Sequence, residues 1–227
     1  MRKTMTFRHR ERGVALIVTL IILVIVTFMG LVAMRAGLLQ VAMATNSQVG
    51  VVLFQNADAG TGSVEDFINS DMTFANGPTG PITLIKDNPG MAVVGCFTKA
   101  GLSLATAVDA PRSCDLTQNE EFVSGREVTA VQVSVMSPVD ASGKAQVVPS
   151  YATDDSILPG GGGALVAVYS TAVMPNYGSA TKSEIMACLA MPQEGDAGTT
   201  ATECLTSKNA SFEVVVQEFV YGYSRYK

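Results

Sequence analysis

The sequence contains one histidine, His9, no proline before Pro78, and no charge between Gly13 and Met34. Each absence excludes something. With no imidazole after position 9, the rest of the chain lacks what Ser-His-Asp and Cys-His nucleophiles and His-ligated zinc or copper sites require. Chemistry based on carboxylates alone stays open. Its candidates are the adjacent pairs Asp154-Asp155 and Glu120-Glu121, although paired acids in a loop are more often a solvated turn than a catalytic or calcium site. There is no Cys-x-x-Cys spacing, and Gly160-Gly161-Gly162-Gly163 lacks the following Lys-Ser/Thr of a phosphate loop. The four glycines precede a strand candidate and read as a flexible connector. No enzyme activity, cofactor or metal is expected.

What is present begins at Gly13. Before it, Arg2, Lys3, Arg8, Arg10 and Arg12 stand against the single acid Glu11; after it, Val14 to Met34 is an uncharged, mostly apolar run that ends at Arg35. At about 1.5 Å per residue, a helix of roughly 21 such residues is about 31 Å long and spans a bilayer's hydrocarbon core. The basic flank keeps the first segment cytoplasmic and sends the remainder outward. A secretory signal peptide fits poorly, because its apolar stretch is shorter and ends in a small-x-small cut. A plain amino-terminal anchor fits the length.

The order Arg10-Glu11-Arg12-Gly13 followed by Val14-Ala15-Leu16-Ile17-Val18 resembles a type IV prepilin cleavage site. The stretch Gly13 to Leu23, the step Met34-Arg35, and Leu53-Phe54-Gln55-Asn56-Ala57-Asp58-Ala59-Gly60 resemble the amino-terminal region of the PilX group of minor pilins. The resemblance implies a prepilin peptidase cut between Gly13 and Val14, N-methylation of Val14, and a helix that serves first as inner-membrane anchor and then as filament core. It implies the other minor pilins, the major pilin and the inner-membrane assembly platform as partners, with a tip adhesin as a further candidate. Major pilins usually carry Glu at the fifth position after the cut; here that position is Val18. In the resemblance, that Glu neutralises the free amine of a neighbouring subunit, and neither group is stable alone in an apolar core. A subunit without it suits the tip, where no further amine needs a partner.

The expected domain boundaries are residues 1–13 a leader, 14–70 a transmembrane and filament-core helix, 71–227 an exported globular domain. Losing the leader, which carries His9, takes the formal charge from −5 to −9. The exported part is acidic and lacks the basic stripe that phosphate binding requires, so direct nucleic-acid binding is not expected. Cys96, Cys114, Cys188 and Cys204 all follow the apolar run, on the oxidising side. Four cysteines permit three pairings. Local pairing, Cys96 with Cys114 and Cys188 with Cys204, is favoured because each closes a short loop beside a strand candidate.

From the membrane the helix can run through Leu38, Ala42, Val49, Val52, Leu53, Asn56 and Ala57 toward Phe67 and Ile68, positions that recur every three or four residues. Gly30, Gly37, Gly50 and Gly60 each weaken it, or permit close helix contact. After Pro78, short Val-, Ala- and Thr-rich runs read as strands: Met91–Phe97, Arg126–Met136, Ala145–Val148, Ala164–Met174, Glu184–Leu189 and Phe212–Tyr223. Valines alternating over Glu127 to Val135 suggest a strand with one face buried. The three tyrosines of Tyr221-Gly222-Tyr223-Ser224-Arg225-Tyr226-Lys227 read as an edge-strand terminus or a contact surface.

The expected fold is α+β and pilin-like: a long amino-terminal helix packed on a mainly antiparallel β-sheet with disulfide-bonded loops. The leading function is a minor pilin in type IV pilus assembly, supporting motility, attachment or DNA uptake. The alternatives are a pseudopilin of a type II secretion system, whose tip subunit normally has a larger, mostly helical outer domain, and a membrane-anchored periplasmic enzyme or sensor.

Overall fold

The computed structural model describes residues 12–70, 75, 77–108, 114–123, 128–139, 143–148, 163–195 and 200–221. The chain divides into two compact units, Met1–Val49 and Gly50–Lys227. Helix α1 runs from Arg12 to Ser70 and contributes to both. Its length follows from the sequence, since no proline interrupts the hydrogen-bond ladder before Pro78.

In the first unit, α1 is apolar all round as far as Met34, and its large apolar side chains from Leu16 to Met43 are exposed. A helix that is apolar on every side is stable in a membrane or among other helices, not in water. Hydroxyls within it are satisfied locally. Thr19 donates to Leu16 O at 2.9 Å and Thr27 to Val24 O at 2.8 Å, so neither leaves a bare polar group where no water is available.

In the second unit, α1 becomes amphipathic. Leu53, Ala57, Gly60, Thr61, Val64 and Ile68 are buried at helical spacing, while Phe54 is exposed. Helix α2 (Pro81–Asp87) follows, with proline at its start, where a missing N–H costs nothing. The sheet comprises β1 (Ala92–Thr98), β2 (Gly101–Leu104), β3 (Ala130–Met136), β4 (Val147–Val148), β5 (Gly163–Gly178) and β6 (Ala210–Tyr221). Every pairing is antiparallel, in the order β2-β1-β3-β5, with β6 on the other side of β5 and β4 beside its first residues. The fold is therefore α+β and pilin-like, a long helix on an antiparallel sheet.

The alternation of β3 divides its side chains between two layers. Val131 meets α1 at Gly60, and Val133 and Val135 share its face. On the opposite face Ala130 joins a core of Leu116, Phe122, Val173, Ile185, Leu189 and Leu205. That core lies under α3 (Lys182–Leu189) and α4 (Ala201–Ser207). The one-sided burial expected for this strand is thus corrected: all seven of its residues are buried. Gln132 tolerates the second layer because its amide donates to Leu189 O at 2.7 Å and accepts from Cys114 N at 3.1 Å.

A second correction concerns Glu184–Leu189, expected as a strand and found inside α3. Its start is fixed by a capping box, in which Thr181 accepts from the N–H of Glu184 and Glu184 accepts from the N–H of Thr181. The same device opens α4, with Thr200 and Glu203. The strand candidate Arg126–Met136 begins at Ala130 among the described residues, and Phe212–Tyr223 becomes a strand that starts at Ala210. Asp154, Asp155, Gly160 to Gly162, Tyr223 and Tyr226 lie outside the described residues, whereas Gly163 opens β5 and Tyr221 closes β6.

Candidate assembly surface

The amino-terminal segment contributes one element, and its chemistry is uniform. Gly13 and Val14 lie in the first turn of α1, and Val18 follows one turn later with its side chain exposed. From Ala15 onward this is a helix long and apolar enough to cross a membrane. No residue in the run carries a charge until Arg35. It can insert, span and pack.

The globular unit carries the polar and covalent features. Cys96 of β1 is bonded to Cys114, and Cys188 of α3 to Cys204 of α4. The second bond ties together the two short helices that roof one face of the sheet. Lys208, just after α4, pairs with Glu184 of α3 at 3.2 Å. The Glu184 carboxyl is held down to about 2, mainly by the Thr181 N–H, then by the Thr181 hydroxyl and Lys208. Lys182 lies over the ring of the buried Phe122, 5.3 Å from its centroid. The Tyr169 hydroxyl is hydrogen-bonded to Glu194, and burial, reinforced by that carboxylate, raises its pKa.

Glu120 and Glu121 sit in a short 3-10 turn, Asn119–Glu121. Glu120 is exposed, as a solvated turn requires, but Glu121 is half-buried and its Oε2 is buried without a hydrogen-bond partner. Burial raises its carboxyl pKa, and the charges of Asp115 and Glu120 add to the effect. Asp115 is exposed, and hydrogen bonds from Thr117 lower its pKa.

The structure thus places Gly13, Val14 and Val18 together at one end of a single helix and joins the four cysteines in two bonds. Two relationships were not anticipated from the sequence: the seating of Gly60 on β5, and the bridging role of Gln132. A glutamine among valines in a strand was the available signal for the second. Such a residue has one apolar environment to satisfy and two hydrogen-bonding ends to place.

A long apolar amino-terminal helix followed by a helix-on-sheet unit with two disulfides defines a pilin-like protein. Residues 12–61 match the family model described as PilX N-terminal. Over those residues the chain is similar to the amino-terminal region of type IV pilus pilins of the PilX group. The match covers less than a quarter of the chain and ends within α1. No curated protein and no solved structure matches the chain. Pilins of this family are structural pilus components.

Proposed function

We propose that this protein is a minor pilin that takes part in the initiation and tip complex of a type IV pilus, and through it supports pilus-dependent motility, attachment or DNA uptake. The observation that carries the reading is Val18 within the uncharged run of a family-matched helix. An amine buried in a filament core needs a carboxylate beside it, because either charge alone pays a desolvation penalty of several kcal/mol. A subunit with valine there supplies no carboxylate to a subunit beyond it, so its place is the end of the filament.

On this reading the peptidase removes Met1 to Gly13 on the cytoplasmic side and the new amine of Val14 is methylated. The helix anchors the protein in the inner membrane with the globular unit in the periplasm, until assembly draws it into the pilus. Its partners are the peptidase, the other minor pilins, the major pilin and the assembly platform, with a tip adhesin as a further partner. Immunogold labelling of sheared pili tests the position. Label concentrated at one end of each filament is the expected result, and even labelling along the shaft would remove the argument from Val18.

A further inference from the structure

Glu121, Cys96 and Cys114 form a cluster that the pilin reading does not use. One Glu121 carboxylate oxygen and the two sulfur atoms all lie within 4.8 Å of one another. Glu121 Oε2 is buried and, among the described residues, unpartnered. The two ends of the bond differ: Cys114 is buried, while Cys96 is half-buried and lines a cavity of about 260 Å³ together with Asp115, Glu121, Thr98 and Ser103. A reagent entering that cavity meets walls that include Cys96 and the carboxyl-bearing Asp115 and Glu121.

Reduction of this bond by a small thiol has a defined course. A thiolate RS⁻ attacks Cys96 Sγ and forms RS–S(Cys96); the bond to Cys114 breaks, and its electron pair stays on Cys114 Sγ as a thiolate. A second thiolate then attacks the RS sulfur, releases Cys96 as a thiolate and leaves RSSR, so two electrons pass from the thiols to the protein and solvent supplies two protons. Both charged species of the first step are anions. The incoming thiolate enters a cavity lined in part by Asp115 and Glu121. Among the described residues the departing Cys114 thiolate would face Glu121, Val131 O at 3.6 Å and Gly95 O at 3.8 Å, acceptors that disfavour a negative sulfur.

We propose that Glu121 guards the Cys96–Cys114 disulfide, its carboxylate beside both sulfurs slowing attack by anionic thiols and opposing departure of the Cys114 thiolate. The bond is then held closed kinetically against small thiols, whereas Cys188–Cys204 has no such guard among the described residues.

The test uses the full chain in detergent micelles at about pH 8, well above the ordinary carboxyl range. Each bond is opened by an anionic thiol, 2-mercaptoethanesulfonate, or a cationic one, 2-mercaptoethylamine, matched for thiolate concentration. The free cysteines are alkylated and counted by peptide mass spectrometry, so Cys188–Cys204 serves as reference in the same molecules. In the wild-type protein the cationic thiol should outpace the anionic one by a ratio about threefold or more larger at Cys96–Cys114 than at Cys188–Cys204. Glu121→Gln should speed the anionic reaction at Cys96–Cys114 by about three- to tenfold and erase that difference. Glu120→Gln removes the same charge from an exposed position and should leave the rate unchanged. Equal ratios at the two bonds in the wild-type protein, or an equal acceleration by Glu120→Gln, would overturn the proposal. Acceleration of both bonds together in Glu121→Gln would report lost folding, and the wild-type thiol comparison, which needs no substitution, then decides.

Discussion

Gly60 of α1 rests on Ser170 of β5: a Cβ at position 60 would collide with the Ser170 hydroxyl and lie 2.9 Å from Val131 Cγ1. Ser170 is fully buried and its Oγ has no partner. In an exposed helix, Gly→Ala stabilises by up to about 1 kcal/mol. Here the sign reverses. Gly60→Ala should cost about 1–3 kcal/mol through overpacking, while Ser170→Ala, which removes an unsatisfied hydroxyl, should be neutral or stabilising. Combining the two should recover part of the loss. Urea unfolding of the full chain in detergent, followed by the tyrosine signal, measures each; a stabilised Gly60→Ala would show that the helix does not approach the sheet this closely.

The α3 cap gives a pH dependence with a definite sign. Glu184 has a carboxyl lowered from 4.5 to about 2 in the folded chain, so its contribution is fully present above the unfolded value and is lost as pH falls from there toward 2. The difference in stability between wild-type protein and Glu184→Gln should therefore shrink across that window. An offset that stays constant with pH would mean the carboxylate is not engaged by Thr181 and Lys208. At neutral pH Thr181→Ala should cost about 1 kcal/mol, the usual value of a lost N-cap.

The Cys188–Cys204 bond holds α3 against α4 across a separation of 16 residues. Helices of 8 and 7 residues are too short to persist without tertiary support. Replacing both cysteines by serine should lower stability by about 2–4 kcal/mol. Hydrogen exchange should show the loss first in α3 and α4. Uniform loss across the sheet would argue that the bond acts on the whole unit instead of the roof.

Val18→Glu probes the proposed position in the filament. A carboxylate at that site should let the subunit accept a neighbour beyond it, moving immunogold label from the filament end into the shaft. Unchanged end labelling would show that another feature sets the position.

The first third of the fold was legible because its signals are large and local. An uncharged run, a basic flank and no proline before Pro78 specify a long helix whatever surrounds it. The valine-rich strands β3 and β5 were legible for the same reason. The segment Glu184–Leu189 was not, since a short apolar run has no distinguishing period, and the deciding signal was the Thr181-x-x-Glu184 box just before it. Strand β2, with four residues beginning at Gly101, carries almost no pattern of its own and exists by pairing with β1. Burial of both faces of β3 was hidden because α3 and α4 come from residues some fifty or more positions away. Of the site, Gly13, Val14 and Val18 are positions in a motif and can be read directly. The proximity of Glu121 to the first disulfide depends on how a loop folds back over β1, which no spacing rule encodes.

The account depends most on processing at Gly13, and mass spectrometry of the mature amino terminus tests it most directly. A chain that begins with N-methylated Val14 is the predicted result. A chain that still begins at Met1, or one cut beyond Met34, would contradict it.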